Sequence, residues 1–296
     1  MPGLRYGNFA RFGALLLMAP IVSAAIGYSA PARTFSKPPA NGRLDYQLGG
    51  AYPPVADVAI VIRDRLEKPA AGKYNICYVN AFQSQPGDAG WWRKNHPDLL
   101  VKKDGQYVVD PNWPDEHILD TSTSAKRAAL MDVVGPWIDK CASDGFKAIE
   151  PDNLDSWMRS KGGLTRAANV AFAELLVQRA HKADLAIAQK NAAELAGIGA
   201  SQIGFDFAIV EECQVWSECH VYTKAYGNQV YEIEYDDNDK DSNGNAADPV
   251  SFFNAACRAR GSTISVIYRD RDVVPADASG YVYKACNVYG AGAASD

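Results

Sequence analysis

From about residue 45 onward, short runs rich in apolar and β-branched residues recur between longer segments of helical character, with proline, glycine and polar turns separating them. The runs 45–48, 58–62, 74–79, 146–150, 185–189, 205–210, 229–234 and 263–268 read as eight strands. Segments 124–141, 165–183, 218–226 and 248–260 read as helices, and Ser124 and Thr165 are capping residues at the start of two of them. A chain of 296 residues, 47% of them apolar, can bury one large core. Eight strands with intervening helices in one domain predict an α/β fold of the (β/α)8 TIM-barrel type rather than an open doubly wound sheet. A dinucleotide-binding domain would also need a glycine-rich loop after the first strand, and none is there.

Alternation within strands sharpens the picture. In 185–191, Ala186, Ala188 and Lys190 share one side, so the small residues face a crowded interior and Lys190 points into the barrel mouth. In 229–235, Tyr231, Ile233 and Tyr235 make the bulky side, leaving Glu232 and Glu234 on the other. A carboxylate pair facing inward is costly unless it serves a site. Acids and amides also gather where strands end: Glu150-Pro151-Asp152-Asn153, Lys190-Asn191, Glu211-Glu212-Cys213 and Glu234-Tyr235. In a barrel these ends share one face, so four strands aim ionisable groups at one cavity. Glycosidic cleavage requires such equipment, one carboxylate to attack or to activate water and one to deliver a proton. The long segment 80–124 carries Trp91, Trp92 and Trp113, which either build a sugar-stacking wall or fold the loop onto the barrel.

The ends of the chain add context. Arg5 and Arg11 flank a start that leads into the apolar run 12–26, a signal-peptide pattern. The run is short and holds Pro20, which argues against a membrane anchor. Residues 1–32 are therefore read as signal peptide and the start of a linker, 33–43 as linker, and 44–296 as the barrel domain of a secreted protein. Six cysteines, Cys77, Cys141, Cys213, Cys219, Cys257 and Cys286, then imply three disulfides. A bridge could pin the short Cys213–Cys219 loop, and Cys257 could tie down Cys286, with connectivity left open. Without residues 1–32, 28 basic side chains face 35 acidic ones, a net charge of −7 that speaks against nucleic acid as a partner. The four histidines show no ligand spacing toward the cysteines, so no metal is expected. In the acidic loop 236–248, Asp239, Asp241, Asn243 and Gly244 match the opening of a calcium loop, but position twelve is Val250 rather than Glu.

Together, Asp45-Tyr46-Gln47-Leu48, Cys77-Tyr78-Val79-Asn80, Glu150-Pro151-Asp152-Asn153, Lys190-Asn191, Glu211-Glu212-Cys213 with Cys219, and Glu234-Tyr235 resemble glycoside hydrolase family 114, the endo-α-1,4-polygalactosaminidases. The resemblance spans about residues 44–268. It implies a barrel that hydrolyses internal α-1,4 bonds in galactosamine-containing polymers, with Asp152 as nucleophile and Glu211 as acid/base. It further implies substrate contacts from Asp64, Tyr78, Asn153, Lys190 and Glu234, with Glu234 the natural partner of a cationic amine. Two departures stand out: Glu212 replaces the family's usual Gln, and Arg63-Asp64-Arg65 ends the second strand. No cofactor is expected, and the partner is a polysaccharide met by a monomer, without nucleic acid or stable membrane insertion. A barrel hydrolase for another α-linked amino-sugar polymer and a non-catalytic carbohydrate-binding barrel are the alternatives.

Overall fold

Every run read as a strand forms one. The computed structural model describes residues 35–286. In chain order it contains β1 (Leu44–Gln47), β2 (Ile60–Asp64), β3 (Tyr74–Asn80), α1 (Ala89–Asn95), the two-residue strands β4 (Lys102–Lys103) and β5 (Gln106–Tyr107), and α2 (Ser124–Asp144). Then come β6 (Ala148–Asp152), α3 (Arg166–Lys182), β7 (Ala186–Lys190), the single turn α4 (Ala196–Ile198) and β8 (Phe207–Glu211). The chain continues through α5 (Cys219–Tyr226), β9 (Val230–Tyr235), α6 (Pro249–Arg260), β10 (Ser265–Arg269) and β11 (Tyr283–Ala285). The four expected helices are α2, α3, α5 and α6. Thr123 rather than Ser124 caps α2, its side chain accepting from the Lys126 amide, while Thr165 caps α3 as expected.

The sheet runs β1-β2-β3-β6-β7-β8-β9-β10-β11, parallel throughout except for the last pair. Eight parallel strands thus form the TIM barrel, with crossovers 48–59 and 65–73 free of helix, the first broken by Gly49-Gly50 and Pro53-Pro54 and the second by Pro69 and Gly72. The ninth strand, β11, was not foreseen. It sits at the seam where β10 meets β1: it pairs with β10, its Tyr283 hydroxyl donates to the Leu44 carbonyl (2.8 Å), and the Cys257–Cys286 bridge fastens it to α6. Disulfides also join β3 to α2 (Cys77–Cys141) and close the short Cys213–Cys219 loop.

Period-two alternation divides the apolar residues between two layers. Ile62, Ala148, Ala186, Ala188, Phe207, Ile209, Tyr231 and Ile233 fill the barrel, whereas Val79, Ile149, Ile187, Val210 and Val266 pack beneath the helices. The alanines of β6 and β7 leave room for the rings of Tyr46, Phe207 and Tyr231. In β9 the bulky side therefore faces inward, and Glu232 and Glu234 lie in the outer layer, opposite to an inward-facing carboxylate pair. Glu232 accepts there from the Arg260 guanidinium of α6 and Glu234 from the Gln214 amide.

The expected signal segment lies outside the described residues. From Phe35 onward the linker region packs on the barrel: Phe35 stacks on His181 (4.8 Å) and the Tyr231 hydroxyl donates to the Pro38 carbonyl (3.0 Å). No helix among the described residues is long and apolar enough to cross a membrane.

The seam depends on side chains. Arg269 of β10, fully buried, donates to the Tyr46 carbonyl of β1, to the Tyr52 hydroxyl (3.1 Å) and to the Val274 carbonyl (3.0 Å). Its charge faces Asp270 (3.2 Å) and Asp45 (3.5 Å). Just above, the Gly49 amide donates to the Val273 carbonyl, and a Cβ at position 49 would meet the Asp272 and Val273 carbonyl oxygens at 2.7 Å. Only glycine permits that approach. Replacing Arg269 by Met leaves Asp45 and Asp270 buried without their cation, so we expect a loss of roughly 3–5 kcal/mol in urea unfolding; a loss below about 1 kcal/mol would show that the seam closes without it.

Candidate active site

The C-terminal ends of the strands open on a cavity of about 510 Å3. Its floor is set by alternation. Residues that continue the inward-facing rows, Tyr46 of β1, Asp64 of β2, Tyr78 of β3, Asp152 of β6, Lys190 of β7, Glu211 of β8 and Tyr235 of β9, all line it. At three of these ends the chain turns away through a residue of positive φ: Asn153 (65°), Asn191 (48°) with Ala192 (59°), and Glu212 (57°). That turn leaves the preceding side chain aimed into the cavity. Asn tolerates this conformation better than most residues, and Glu does not.

Lys190 is the centre. It is 1% exposed, and its ammonium donates to Glu150 Oε1 (2.8 Å) and to the Tyr46 hydroxyl (3.0 Å). It also lies 3.3 Å from Glu211 Oε2 and 3.5 Å from Asp152 Oδ1. Asp152 accepts from the Tyr78 hydroxyl (2.8 Å) and the Asn153 amide (2.8 Å). Glu211 accepts from the Tyr235 hydroxyl (2.5 Å) and the Asn191 side-chain amide (2.9 Å). Each carboxylate thus has a tyrosine, an asparagine and one shared cation.

The charges follow from these contacts. Burial works against the Lys190 charge, but Asp152, Glu150 and Glu211 together hold its pKa well above the usual lysine range. Burial likewise works against ionised Glu211. The Lys190 charge and the Tyr235 and Asn191 hydrogen bonds outweigh it and hold that carboxyl below its ordinary value. Glu150, fully buried beneath the lysine, is pushed up by burial to about 7 in spite of Lys190.

The neighbouring glutamates separate cleanly. Glu212 lies outside the cavity lining, where it accepts from Arg271. The Arg271 guanidinium stands 4.1 Å over the Tyr235 ring, so Glu212 braces the tyrosine that holds Glu211. Tyr78, Asn153, Lys190 and Asp64 are at the cavity as expected, although Asn153 already donates to Asn80 (2.9 Å) and accepts from Arg159 (3.0 Å). Glu234 is the exception. It is fully buried behind the cavity wall, because its side of β9 faces the helices, and it cannot meet an amine in the cavity.

Several lining residues escaped the sequence reading. Tyr235 shares the inward row of Tyr231 and Ile233, so the alternation itself pointed to it once the bulky side is placed inside. Glu116, brought in by the long loop, accepts from Asn80 (3.0 Å), and burial pushes it up to about 7; no local motif marks it. Of the three tryptophans in that loop, Trp113 lines the cavity, Trp92 is buried and Trp91 lies elsewhere. Seven carboxyl groups line the cavity (Asp64, Asp110, Glu116, Asp152, Asp155, Glu211 and Asp272) against three basic side chains, Arg159, Lys190 and Arg271. In the 236–248 loop, Asp241 accepts from the Asn243 and Asn245 amides of its own turn, which accounts for the calcium-like spacing by a local motif.

A barrel that gathers paired carboxylates at the C-terminal ends of its strands has the build of a sugar-cleaving hydrolase. The model of glycoside-hydrolase family GH114 matches residues 27–289, and the chain belongs to this family and is a glycoside hydrolase. Among solved structures it is similar to Aspergillus fumigatus Ega3 in complex with galactosamine, at 25% identity and a TM-score of 0.63, over 83% of this chain and 98% of that one. The fold also matches the glycoside hydrolase domain of PelA from Pseudomonas aeruginosa, at 15% identity and a TM-score of 0.56, over 79% of this chain and 96% of that one. None of the curated proteins matches.

Burial and the adjacent Glu232 charge push Glu234 up to about 9. The folded chain therefore keeps a proton that the unfolded chain releases above about pH 4.5, and stability falls as pH rises from there through about 9. Glu234→Gln, neutral at every pH, should show a smaller fall in melting temperature between pH 5 and pH 9. An unchanged slope in thermal melts would mean that Glu234 is ionised in the fold.

Proposed function

We propose that the protein is a secreted, endo-acting hydrolase of α-1,4-linked galactosamine-containing polysaccharide, with Asp152 as nucleophile and Glu211 as acid/base. One observation carries the reading: Asp152 and Glu211 share the buried Lys190 ammonium, at 3.5 and 3.3 Å, which keeps their facing oxygens within about 7 Å of one another, a spacing that a retaining pair can adopt. In the first step an Asp152 oxygen bonds to the anomeric carbon as the glycosidic C–O bond breaks, and the leaving oxygen takes the Glu211 proton. Glu211, now a carboxylate, takes a proton from water; the water oxygen bonds to the anomeric carbon and the ester to Asp152 breaks, restoring both groups with retained configuration. Tyr78 and Asn153 orient Asp152, and Tyr235 and Asn191 orient Glu211.

The cavity's seven carboxyl groups against three bases favour a cationic sugar polymer, and the similarity to Ega3, solved with galactosamine, supports the choice of sugar. Export fits the three disulfides, which form in oxidising compartments.

On de-N-acetylated α-1,4-galactosamine polymer, Asp152→Asn and Glu211→Gln should each lower kcat by roughly a thousandfold or more while remaining folded, with some loss of melting temperature from the weakened Lys190 cluster; parent-like turnover in either variant ends the assignment. Since Glu211 must carry a proton to act as acid and its pKa is held low, kcat/KM should fall as pH rises from the acidic range toward neutral. Tyr235→Phe removes one of the hydrogen bonds that lower it, so the basic limb of the pH profile should move to higher pH; a limb that stays in place would detach Glu211 from it.

A further inference from the structure

A second concave site has no part in this reaction. Helices α1 and α2 and the turn after α1 border an open cavity of about 440 Å3, lined among others by Trp91, His96, Asp98, Asp132 and Trp137. The Trp91-Trp92 pair divides its work. Trp92 is fully buried and packs edge-on against both Trp91 (5.3 Å) and Trp137 (6.0 Å), so one buried ring fixes two outer ones. Trp91 is nonetheless 45% exposed, and His96 supports it at 5.0 Å. The Arg65 guanidinium lies 4.2 Å over Trp137, and since Asp64 lines the main cavity, the end of β2 supports both sites. Trp91 is thus held in one orientation by its neighbours while part of its ring stays open to a partner.

Besides His96, the polar side chains of this cavity are two acids. Asp98 and Asp132 are exposed, neither stands at ion-pair distance from a basic side chain among the described residues, and no Lys or Arg lines the cavity. Indole faces pack against the C–H face of a pyranose and attract an ammonium through the ring quadrupole, and the two carboxylates add to that attraction. The volume falls in the usual range for small-ligand sites.

We propose that the Trp91–Trp137 cavity is a second carbohydrate site that holds a hexosamine unit with a free, cationic amine, on the same polymer that the main cavity cleaves. It rests on the substrate reading above for the identity of the polymer, and it separates holding the chain from cutting it. The test uses the full protein, de-N-acetylated α-1,4-galactosamine polymer immobilised on beads, and a soluble short oligosaccharide of the same linkage. Trp91→Ala should weaken polymer binding about five- to tenfold, in keeping with loss of one aromatic–cation contact. Asp132→Asn should weaken it less, with the difference vanishing at high salt. Trp91→Phe should recover most of the affinity, which excludes a folding defect as the cause. Turnover of the short oligosaccharide should be unchanged in all three. Polymer affinity equal to the parent's in both Trp91→Ala and Asp132→Asn overturns the proposal, as does a parent that does not bind the polymer. A parent that binds the polymer through Trp91 yet cleaves neither substrate would overturn the reading of the main cavity and leave the second site standing.

Discussion

The buried Lys190 ammonium is the constraint around which the site is organised. Removing such a charge from water costs several kcal/mol, and the cost is offset only if the surroundings return it as short, well-aimed contacts. Here three carboxylates and a tyrosine hydroxyl from β1, β6 and β8 converge on one nitrogen carried by β7. Four strands must therefore hold their register to within a fraction of an ångström for the cation to be tolerated. The same requirement fixes Asp152 and Glu211 relative to one another without any direct contact between them. Glu150 bears the deepest share: it is the closest acid to the lysine, it has no exposure, and its second oxygen is buried without a partner.

Around this centre, local backbone conformation and electrostatics agree. Each of the strand ends that carry Asp152, Lys190 and Glu211 leaves the barrel through left-handed residues, so the chain turns outward as the carboxylate or ammonium before it stays inside. Asparagines occupy two of these turns, where they are tolerated and also hydrogen-bond: Asn153 through its amide to Asp152, Asn191 through its side chain to Glu211. The third turn is Glu212, a residue with no such tolerance, at a cost on the order of 1–2 kcal/mol. Its ion pair with Arg271 lies where it offsets that strain and, through the cation over the Tyr235 ring, keeps the hydroxyl aimed at Glu211. The second acid beside Glu211 thus stands off the cavity lining, as an electrostatic brace on Tyr235.

Much of this was legible in the chain because a barrel converts period-two patterns into position. The Ala186-Ala188-Lys190 row announced an inward lysine, and the acids after β6 and β8 announced a shared face. Glu234 shows where the logic failed. Both sides of β9 are buried, so burial does not tell them apart, and the choice depends on what each side meets: Arg260 and the Gln214 amide outside, Phe207 beside Tyr231 inside. Those partners are distant in sequence. The same holds for Glu116, which reaches the cavity only because the long loop folds back over Asn80, and for β11, whose place at the seam follows from Arg269, Tyr283 and a disulfide rather than from any apolar run. Contacts between residues far apart in the chain were the part that pattern alone does not encode.

The acids of the cavity fall into two groups with different physical origins. Asp152 and Glu211 stand on strands, clamped to Lys190 above the buried Glu150, and Asp64 ends β2, so the geometry of this group is inherited from the barrel. Asp110, Glu116, Asp155 and Asp272 stand on loops. Two of these, Asp110 and Asp155, share the Arg159 guanidinium. Glu116 has amide donors instead of a cation, and burial holds it near neutrality. Arg159 and Lys190 are thus largely committed to acids already in place, and the surplus negative charge remains uncompensated until something positive enters. Under the proposed function the substrate's amines supply that compensation. The fold would then set the chemistry and the loops the charge of the sugar: loop changes could alter which polymer is accepted, while any change to the strand-borne acids would have to reckon with a buried lysine.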